Sequence, residues 1–315
     1  MSRAARVSES NIKPHLALIA VQLFFGTWPI AGKIALRALP STGLVTLRIV
    51  GATVAFVILL RATAHRPIER RSDYLRLALY SLLGVVLNQF LFVKGLALST
   101  VVNATLLGTT IPIFTLLASA ALGKERPTLR QALGMLLAAA GVVYLVNPLN
   151  ANFSPETTLG NLLLIANTVA YSMYLAVSQD LIKRYGALVV ITWIFLFGSF
   201  AALPFGGFFL AQTPLLHLPL SIWLAVLYII LLPTVGAYYL NACALGRVAP
   251  STVAIYIYLQ PLFAFALAPL LLGEQIDSRT WLAAALIFAG VATVMLRSRN
   301  RVFEEVSERP DALSH

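Results

Sequence analysis

Two stretches of the chain repeat one pattern: IPIFTLLASAALGKERPTLRQALGMLLAAAGV at residues 111–142 and QPLFAFALAPLLLGEQIDSRTWLAAALIFAGV at residues 260–291. In each stretch a proline stands at the second position, a glutamate follows thirteen residues later, and a Gly-Val pair follows sixteen residues after that. The shared spacing predicts that the chain is an internal duplication, with Glu125 and Glu274 at equivalent positions of its two copies.

The composition predicts a membrane protein. Of the 315 residues, 59% are hydrophobic and 11% are charged, whereas soluble domains carry about 25% charged residues. Apolar runs of about 20 residues, each long enough to cross a hydrocarbon core, follow one another with little sequence between them. We assign ten runs, at 15–36, 41–61, 74–94, 100–122, 128–147, 158–181, 187–210, 218–241, 250–272 and 279–297. The runs predict an all-α polytopic membrane protein with ten transmembrane helices, and they leave no length for a soluble catalytic domain.

A polar segment at 148–157 divides the ten spans into two sets of five. We therefore expect a first five-helix repeat at 1–147, a second at 158–297 and a cytoplasmic tail at 298–315. A duplication with an odd number of spans places its copies upside down relative to each other, an arrangement that many secondary transporters share. The repeat thus favours transport as the function.

A second pattern supports the duplication. Spans 1 and 6 each carry four polar or irregular residues at spacings of four, three and four, which places the residues on one face of a helix. These are Gln22, Gly26, Pro29 and Lys33 in span 1, and Asn167, Tyr171, Tyr174 and Ser178 in span 6. Such faces turn away from lipid, either towards a shared polar cavity or into ordinary packing between helices, and the sequence leaves both explanations open.

The basic residues indicate the orientation of the chain. The net charge of +11 comes from 23 Lys and Arg against 12 Asp and Glu. Lys33 and Arg48 lie within spans. With a cytoplasmic N-terminus, only Arg37, Lys94 and Arg279 of the others fall on the opposite side, and eighteen fall on the cytoplasmic side. This asymmetry follows the positive-inside rule. We therefore expect both termini in the cytoplasm, an inner or plasma membrane as the location, and no nucleic acid partner.

Arg48 lies deep in span 2, where the insertion of a charged residue costs about 2.5–3.5 kcal/mol. A structural role, with hydrogen bonds to neighbouring spans, and a substrate role, with an anionic group as the partner, both explain it. No Asp, Glu or His lies in the middle of a predicted span. An intramembrane carboxylate is the usual proton relay and the usual counter-charge for a cationic drug. The interior arginine and the missing carboxylates together favour substrates that are carboxylate-bearing or zwitterionic.

Pro112 and Pro261 lie inside predicted spans 4 and 9. A proline cannot donate to the helical ladder and crowds the carbonyl four residues back, so each proline exposes backbone at membrane depth. Their equivalence in the two repeats suggests a pair of hinges. Prolines also occur in transmembrane helices without such a role, and that explanation stays open.

Aromatic and amide side chains lie inside several spans, among them Trp28, Asn88, Gln89 and Asn103. Together they fit a chamber that stacks on a ring or hydrogen-bonds an amino acid, while individually each also fits packing. The chain contains no phosphate-binding loop, metalloprotease motif or nucleophile elbow. Its one cysteine, Cys243, excludes a disulfide within the chain and a cysteine metal cluster. We expect no enzymatic activity, no cofactor and no metal.

These features resemble the EamA family of the drug/metabolite transporter superfamily. The similarity lies in FGTWPIAGK at 25–33, an arginine in span 2, GVVLNQFLFVKGL at 84–96, the Asn-Ala-Thr at 103–105 and the paired proline blocks. The resemblance implies ten spans as two inverted five-helix repeats, both termini inside, and a central cavity lined mainly by spans 1, 3, 4, 6, 8 and 9. It also implies export of amino acids and other small metabolites by alternating access. The small multidrug-resistance branch depends on a glutamate in its first helix, which this chain lacks.

The resulting hypothesis is a secondary transporter that exports small polar metabolites, with amino acids as the first candidates and aromatic ones slightly favoured. The expected substrate-binding residues are Trp28, Arg48, Asn88, Gln89, Asn103, Tyr174, Tyr239, Tyr256 and Gln260, with Pro112 and Pro261 as hinges. A passive facilitator and a non-transporting membrane scaffold stay open as alternatives. The oligomeric state is open as well, because the small-residue seams in spans 5 and 10 fit packing within one chain or between chains.

Overall fold

The computed structural model describes residues 3–63, 67–99, 104, 107–146, 155–263, 281–282 and 285–294. Within these ranges the chain consists of helices and short turns, without a β-strand. The helices are α1 (Arg3–Ala35), α2 (Ser41–Arg61), α3 (Arg71–Leu98), α4 (Ile111–Ala121), α5 (Leu129–Val146), α6 (Pro155–Tyr185), α7 (Ala187–Ala211), α8 (Leu220–Leu245), α9 (Pro250–Ile255) and α10 (Ala285–Val294). Short 3₁₀ turns lie at Leu215–His217 and Tyr256–Leu259.

Within the described ranges, five helical segments are long and apolar enough to cross a membrane. They are Ser41–Arg61, Arg71–Leu98, Thr158–Tyr185, Ala187–Ala211 and Leu220–Leu245. These segments coincide with predicted spans 2, 3, 6, 7 and 8, so the prediction of an all-α polytopic membrane protein is confirmed. Predicted spans 4, 5, 9 and 10 extend into residues outside the described ranges. The number of ten spans stays a prediction.

The helix α2 shows how one helix faces two environments. Ile49 and Phe56 are buried in the bundle, whereas Val54 and Ile58 on the opposite side are exposed. The buried side packs against α7, where the rings of Phe56 and Phe195 have centroids 5.1 Å apart. Lipid tails are as apolar as these side chains, so the exposed side of α2 is suited to the bilayer.

The contacts between helices are symmetric with respect to the two halves of the chain. The helix α2 packs against its counterpart α7, and α4 packs against α9. The helix α1 packs against α8, and its counterpart α6 packs against α3, the counterpart of α8. The central helices of one half therefore contact those of the other half throughout, and the interior lies between the halves.

The small-residue seams of α5 and α10 pack against each other within this chain. A Cβ atom built on Gly290 lies 2.6 Å from the carbonyl oxygen of Gly134 and 2.6 Å from the backbone nitrogen of Ala138. Only glycine permits an approach this close between two helix backbones. Of the two explanations that the sequence left open for these seams, the structure shows packing within the chain.

Two helices of the interior contain a π-helical turn. The turns lie at Leu82–Leu87 in α3 and at Ile230–Gly236 in α8, where Pro233 is part of the turn. The two turns begin 148 residues apart, close to the 149 residues between Pro112 and Pro261. They therefore occupy equivalent positions in the two halves. Turns of this kind are rare and occur frequently at functional sites.

The two repeat prolines begin helical segments instead of interrupting them. Thr109 and Thr110 form a turn, and Pro112 lies in the first turn of α4, where a missing N–H costs nothing. Pro261 follows the 3₁₀ turn at Tyr256–Leu259, with Gln260 between them. The α-helical ladder is therefore interrupted directly before Pro112. The hinge role of both prolines stays a prediction.

Candidate functional site

Arg48 points into the interior between the two halves. Its side chain is 3% exposed, its Nε donates to the Thr234 hydroxyl at 3.2 Å, and its guanidinium lies 4.0 Å from the centre of the Trp28 ring. Within the described part of the chain, no carboxylate pairs with it. Both partners of Arg48 are neutral, so its positive charge lies buried without a counter-charge from any described residue.

The π-helical turn of α8 orients the Thr234 hydroxyl, the hydrogen-bond partner of Arg48. The Thr234 hydroxyl donates to the carbonyl of Ile229, five residues earlier, at 2.7 Å. The hydroxyl proton is thereby committed to the backbone, and the lone pairs of the oxygen face Arg48. Thr234 is fully buried, so the hydrogen bond between α2 and α8 is shielded from solvent.

Tyr238, one helical turn after Thr234, joins this position to the π-helical turn of α3. Its hydroxyl lies 3.2 Å from the carbonyl oxygen of Gly84 and 3.1 Å from Oδ1 of Asn88, and it donates to either oxygen. Asn88 is held in turn by Asn167 on α6, whose Nδ2 donates to the Asn88 carbonyl at 2.6 Å. The two π-helical turns are therefore connected through one tyrosine.

Gln89 is a buried amide without a hydrogen bond of normal geometry to any described residue. Its side chain is 2% exposed and lies beside the hydroxyl of Tyr238, yet neither its Nε2 nor its Oε1 has a partner of normal hydrogen-bond geometry. Buried polar atoms in folded proteins nearly always have a partner, and an exception calls for an explanation such as a missing ligand. We name Trp28, Arg48, Asn88, Gln89, Thr234 and Tyr238 the Arg48 cluster.

Two stacked tyrosines border the Arg48 cluster on α6. The rings of Tyr171 and Tyr174 have centroids 5.9 Å apart and planes inclined by 28°. The Tyr171 hydroxyl accepts a hydrogen bond from Nδ2 of Asn241 at 3.1 Å. The Tyr174 ring lies against Gly84, where a Cβ atom would come within 2.5 Å of it. Gly84 thus gives Tyr174 room to reach the π-helical turn of α3.

A second polar group lies between α1 and the segment that follows α9. Nε2 of Gln260 donates to Oε1 of Gln22 at 2.8 Å, and Nδ1 of His15 lies 2.7 Å from the Tyr256 hydroxyl. Tyr256 is buried and Gln260 is half-buried. These two predicted site residues therefore contact α1, the helix that also carries Trp28.

The structure brings together five of the predicted site residues, namely Trp28, Arg48, Asn88, Gln89 and Tyr174. Tyr239 is 38% exposed, and its neighbour is Cys243 one turn further on. The preceding residue, Tyr238, occupies the interior position that was expected for Tyr239. Asn103 lies outside the described residues.

Three polar residues of α8 lie outside the expected substrate-binding set: Thr234, Tyr238 and Asn241. They lie at spacings of four and three, which is one face of a helix. All three side chains are buried and hydrogen-bonded to another helix. The helical spacing of these polar residues in an apolar span was the signal that would have found them.

Polar contacts join the two halves at the end where α3 begins and α6 ends. Asp73, which is 2% exposed, accepts hydrogen bonds from Arg184 at 2.9 Å and from the Tyr185 hydroxyl at 2.7 Å. Asp180 pairs with Lys124 at 2.9 Å and with Arg76 at 3.5 Å. We name the contacts of Asp73 and Asp180 with the opposite half the inter-half latch.

The same end holds a further connection between the halves, made by Glu125. The Glu125 carboxylate accepts hydrogen bonds from the backbone N–H of Ser251, at 3.1 Å, and from the Ser251 hydroxyl. Ser251 lies in the first turn of α9, where a carboxylate satisfies an N–H that has no partner within the helix. The glutamate of the first repeat block therefore fixes the start of a helix of the second half.

Comparison with known proteins assigns the family. A family model described as the EamA-like transporter family matches the chain twice, at residues 12–147 and at residues 158–296. The chain belongs to the EamA-like transporter family. The resemblance inferred from the sequence motifs is thereby confirmed.

Two relatives show how far the similarity of this EamA-like transporter extends. It is 29% identical over 285 residues to a protein of Archaeoglobus fulgidus named an uncharacterized transporter, with 89% of this chain and 96% of the relative covered. It is 23% identical over 345 residues to a WAT1-related protein of Arabidopsis thaliana, with 98% and 88% covered. Both alignments span most of each protein.

A solved crystal structure shares the fold of this EamA-like transporter. The two match with a TM-score of 0.73 at 22% identity, over 91% of this chain and 98% of the other. The family is one of membrane transporters, and the chain contains helices that are long and apolar enough to cross a bilayer. The protein is therefore an integral membrane protein of a transporter family.

Proposed function

We propose that this EamA-like transporter is a secondary carrier that exports small polar metabolites, with amino acids as the first class and aromatic ones favoured. The observation that carries the proposal is the buried guanidinium of Arg48, which has the Thr234 hydroxyl and the Trp28 ring as neutral partners. A buried charge without a counter-charge is costly, and an anionic ligand removes that cost. Aromatic side chains around the cluster suit a substrate with a ring.

The proposal includes ten spans, arranged as two inverted five-helix repeats at 1–147 and 158–297, with both termini in the cytoplasm. The two matches of the family model and the exchange symmetry of the helix packing support the repeats. The excess of Lys and Arg on one side supports the orientation. The proposed location is an inner or plasma membrane, and the proposed partners are the bilayer and a small-molecule substrate, without nucleic acid.

Alternating access is the proposed mechanism. The Arg48 cluster lies between the halves, and the inter-half latch joins them at the end that the charge distribution assigns to the cytoplasm. Movement of one half against the other would break the latch and open the cluster to that side. The helix interruptions before Pro112 and Pro261 provide equivalent places for bending.

Counterflow into proteoliposomes tests the proposed function. Purified protein is reconstituted, the vesicles are loaded with one unlabelled compound, and uptake of the same labelled compound is measured. The compounds are an aromatic, an aliphatic and a basic amino acid, an organic acid, a sugar phosphate and a lipophilic cation. We expect saturable uptake of the aromatic amino acid above empty vesicles. Uptake of the cation alone, or no uptake from folded protein, would contradict the proposal.

A passive facilitator is the second candidate function, because it would use the same interior polar site. The two differ in whether an imposed gradient of protons, sodium ions or electrical potential concentrates the substrate. Accumulation above equilibrium identifies a coupled carrier. Equilibration alone under every imposed gradient identifies a facilitator.

A further inference from the structure

Arg48 and Gln89 both lie near Tyr238, and each lacks partners that its chemistry requires. Arg48 lacks a negative charge, and Gln89 lacks any hydrogen bond, within the described part of the chain. Resting on the proposed function, we propose that the two residues form the ends of a zwitterion site. The Arg48 guanidinium binds a carboxylate, and Gln89 Oε1, with the Gly84 carbonyl and Asn88 Oδ1, binds the ammonium group of the same α-amino acid.

The carboxylate end follows from the geometry of Arg48. Its one hydrogen bond to a described residue uses Nε, and its guanidinium lies over the Trp28 ring. The two terminal nitrogens are thus left for a ligand. A guanidinium presents parallel N–H donors that match the two oxygens of a carboxylate. Thr234 fixes the orientation of the group by holding Nε from the opposite half.

The ammonium end follows from the oxygens around the π-helical turn of α3. The Gly84 carbonyl and Asn88 Oδ1 both lie within hydrogen-bond distance of the Tyr238 hydroxyl, which has one proton to donate. At least one of them is therefore left with free capacity at any moment. The Gln89 side chain lies beside the same hydroxyl, and its buried Oε1 accepts no hydrogen bond from a described residue. An ammonium group has three N–H donors, and three neutral oxygens satisfy them without an acidic residue.

This arrangement explains how the site distinguishes a zwitterion without a buried acid. A cationic amine finds oxygen acceptors, but it also finds the uncompensated charge of Arg48, which repels it. A simple carboxylate binds Arg48 but leaves the oxygens near Gln89 without donors. Leaving buried polar groups unpaired is how binding sites reject analogues that lack one polar group. A single α-amino acid satisfies both ends at once.

Three matched ligands test the two ends separately: L-phenylalanine, phenylpyruvate, which lacks the ammonium group, and phenethylamine, which lacks the carboxylate. Their dissociation constants are measured by calorimetry on the purified full-length protein in one detergent. The variants are Arg48→Gln and Gln89→Leu, with Arg61→Gln and Gln131→Leu as matched controls. Arg61 is exposed at the end of α2, and Gln131 lies at the start of α5, at the end of the bundle that holds the inter-half latch.

We expect the parent to bind phenylalanine about 10-fold to 100-fold more tightly than either analogue, which is the range for hydrogen bonds to charged groups. Gln89→Leu should lower the affinity for phenylalanine to that for phenylpyruvate. It should change the affinity for phenylpyruvate by no more than about 2-fold. Arg48→Gln should lower the affinities for phenylalanine and phenylpyruvate. It should leave the affinity for phenethylamine unchanged or raise it. Arg48→Lys keeps the charge without the parallel donors, and it should bind both carboxylates with intermediate affinity.

Four results would overturn the inference. An equal loss of affinity for phenylalanine and for phenylpyruvate in Gln89→Leu would indicate a packing role for that residue. Unchanged affinities in Gln89→Leu or Arg48→Gln would remove the corresponding end of the site. Tight binding of phenylpyruvate alone by the parent would exclude an ammonium site while leaving carboxylate transport intact. Absence of binding of all three ligands by folded parent protein would refute the inference together with the proposed substrate class.

Discussion

Gly84→Ala is expected to disturb the interior at the contact between α3 and α6. The added methyl would lie 2.5 Å from Cγ and Cδ2 of the Tyr174 ring, whereas carbon atoms in contact are normally 3.5–4.0 Å apart. The ring must therefore move by about 1 Å, and it is confined by its stacking on Tyr171. Overpacking of this kind costs about 1–3 kcal/mol. The helix preference of alanine over glycine offsets about 0.5–1 kcal/mol of that cost.

The expected net result is a loss of about 1–2 kcal/mol in the free energy of unfolding, measured by denaturant titration of purified protein in one detergent. Gly207→Ala on α7 is the matched control, because nothing lies within 4 Å of a Cβ at that position. This control should be neutral or slightly stabilising. Removal of the ring, including Cγ, by Tyr174→Ala should make Gly84→Ala nearly neutral, with a coupling of about 1 kcal/mol or more.

Transport provides the second readout for Gly84→Ala. The Gly84 carbonyl is one of the oxygens that face Tyr238, so displacement of this turn should also lower counterflow. Equal stability and equal transport of Gly84→Ala and Gly207→Ala would refute the close contact between Tyr174 and α3. Loss of stability that persists unchanged in the Tyr174→Ala background would show that the loss has another cause.

Three further sets of substitutions test the close packing of α5 against α10, the inter-half latch and the bending at the repeat prolines. Gly290→Ala should destabilise the protein by about 3 kcal/mol in denaturant titration, because its Cβ meets backbone atoms of α5 at 2.6 Å. Asp73→Asn should weaken the inter-half latch and speed maleimide labelling of a cysteine introduced at Ser178, a fully buried position on α6. The substitutions Pro112→Ala and Pro261→Ala should slow counterflow at least about 3-fold while leaving substrate affinity unchanged, if bending occurs there.

Each of these perturbations has a matched control. Gly108→Ala adds a Cβ with nothing within 4 Å and should leave stability unchanged. Glu69→Gln removes an exposed carboxylate near Asp73 and should not alter labelling, which is measured in a Cys243→Ala background. Pro67→Ala changes an exposed loop proline and should leave counterflow intact. A control that behaves like its test variant contradicts the corresponding prediction.

The sequence predicted the membrane class because the signal repeats in every span. Runs of Leu, Val, Ile and Ala long enough to cross a bilayer leave few alternatives, and the spacing of proline, glutamate and Gly-Val marks the duplication. Arg48 and Gln89 were found for a related reason. Placing a charge or an amide in an apolar membrane helix costs free energy unless a polar partner in the interior compensates for it.

The details of α8 could not be predicted in the same way. The π-helical turn at Ile230–Gly236 holds an additional residue per turn, which rotates everything after it relative to a regular α-helix. A one-residue change of phase separates Tyr238, which is buried, from Tyr239, which is exposed. No local residue preference marks such a turn, so its rotation of the helix depends on tertiary packing, and only the spacing of Thr234, Tyr238 and Asn241 marks the buried face in the sequence.

The sequence did not show the position of the helix break before Pro112, for a similar reason. A proline fits both the first turn of a helix and a kink inside one. The turn at Thr109 and Thr110 decides between the two, and threonine has no strong preference that would reveal it.

The most direct test of the central account is counterflow of labelled L-phenylalanine by the parent protein, Arg48→Gln and Arg61→Gln, reconstituted side by side at equal protein content. Both variants lose one arginine from α2, but only Arg48 is buried beside Trp28 and Thr234. We predict saturable counterflow for the parent and Arg61→Gln, and at least a 10-fold loss for Arg48→Gln. Equal counterflow by folded Arg48→Gln and the parent would contradict a substrate site built on Arg48.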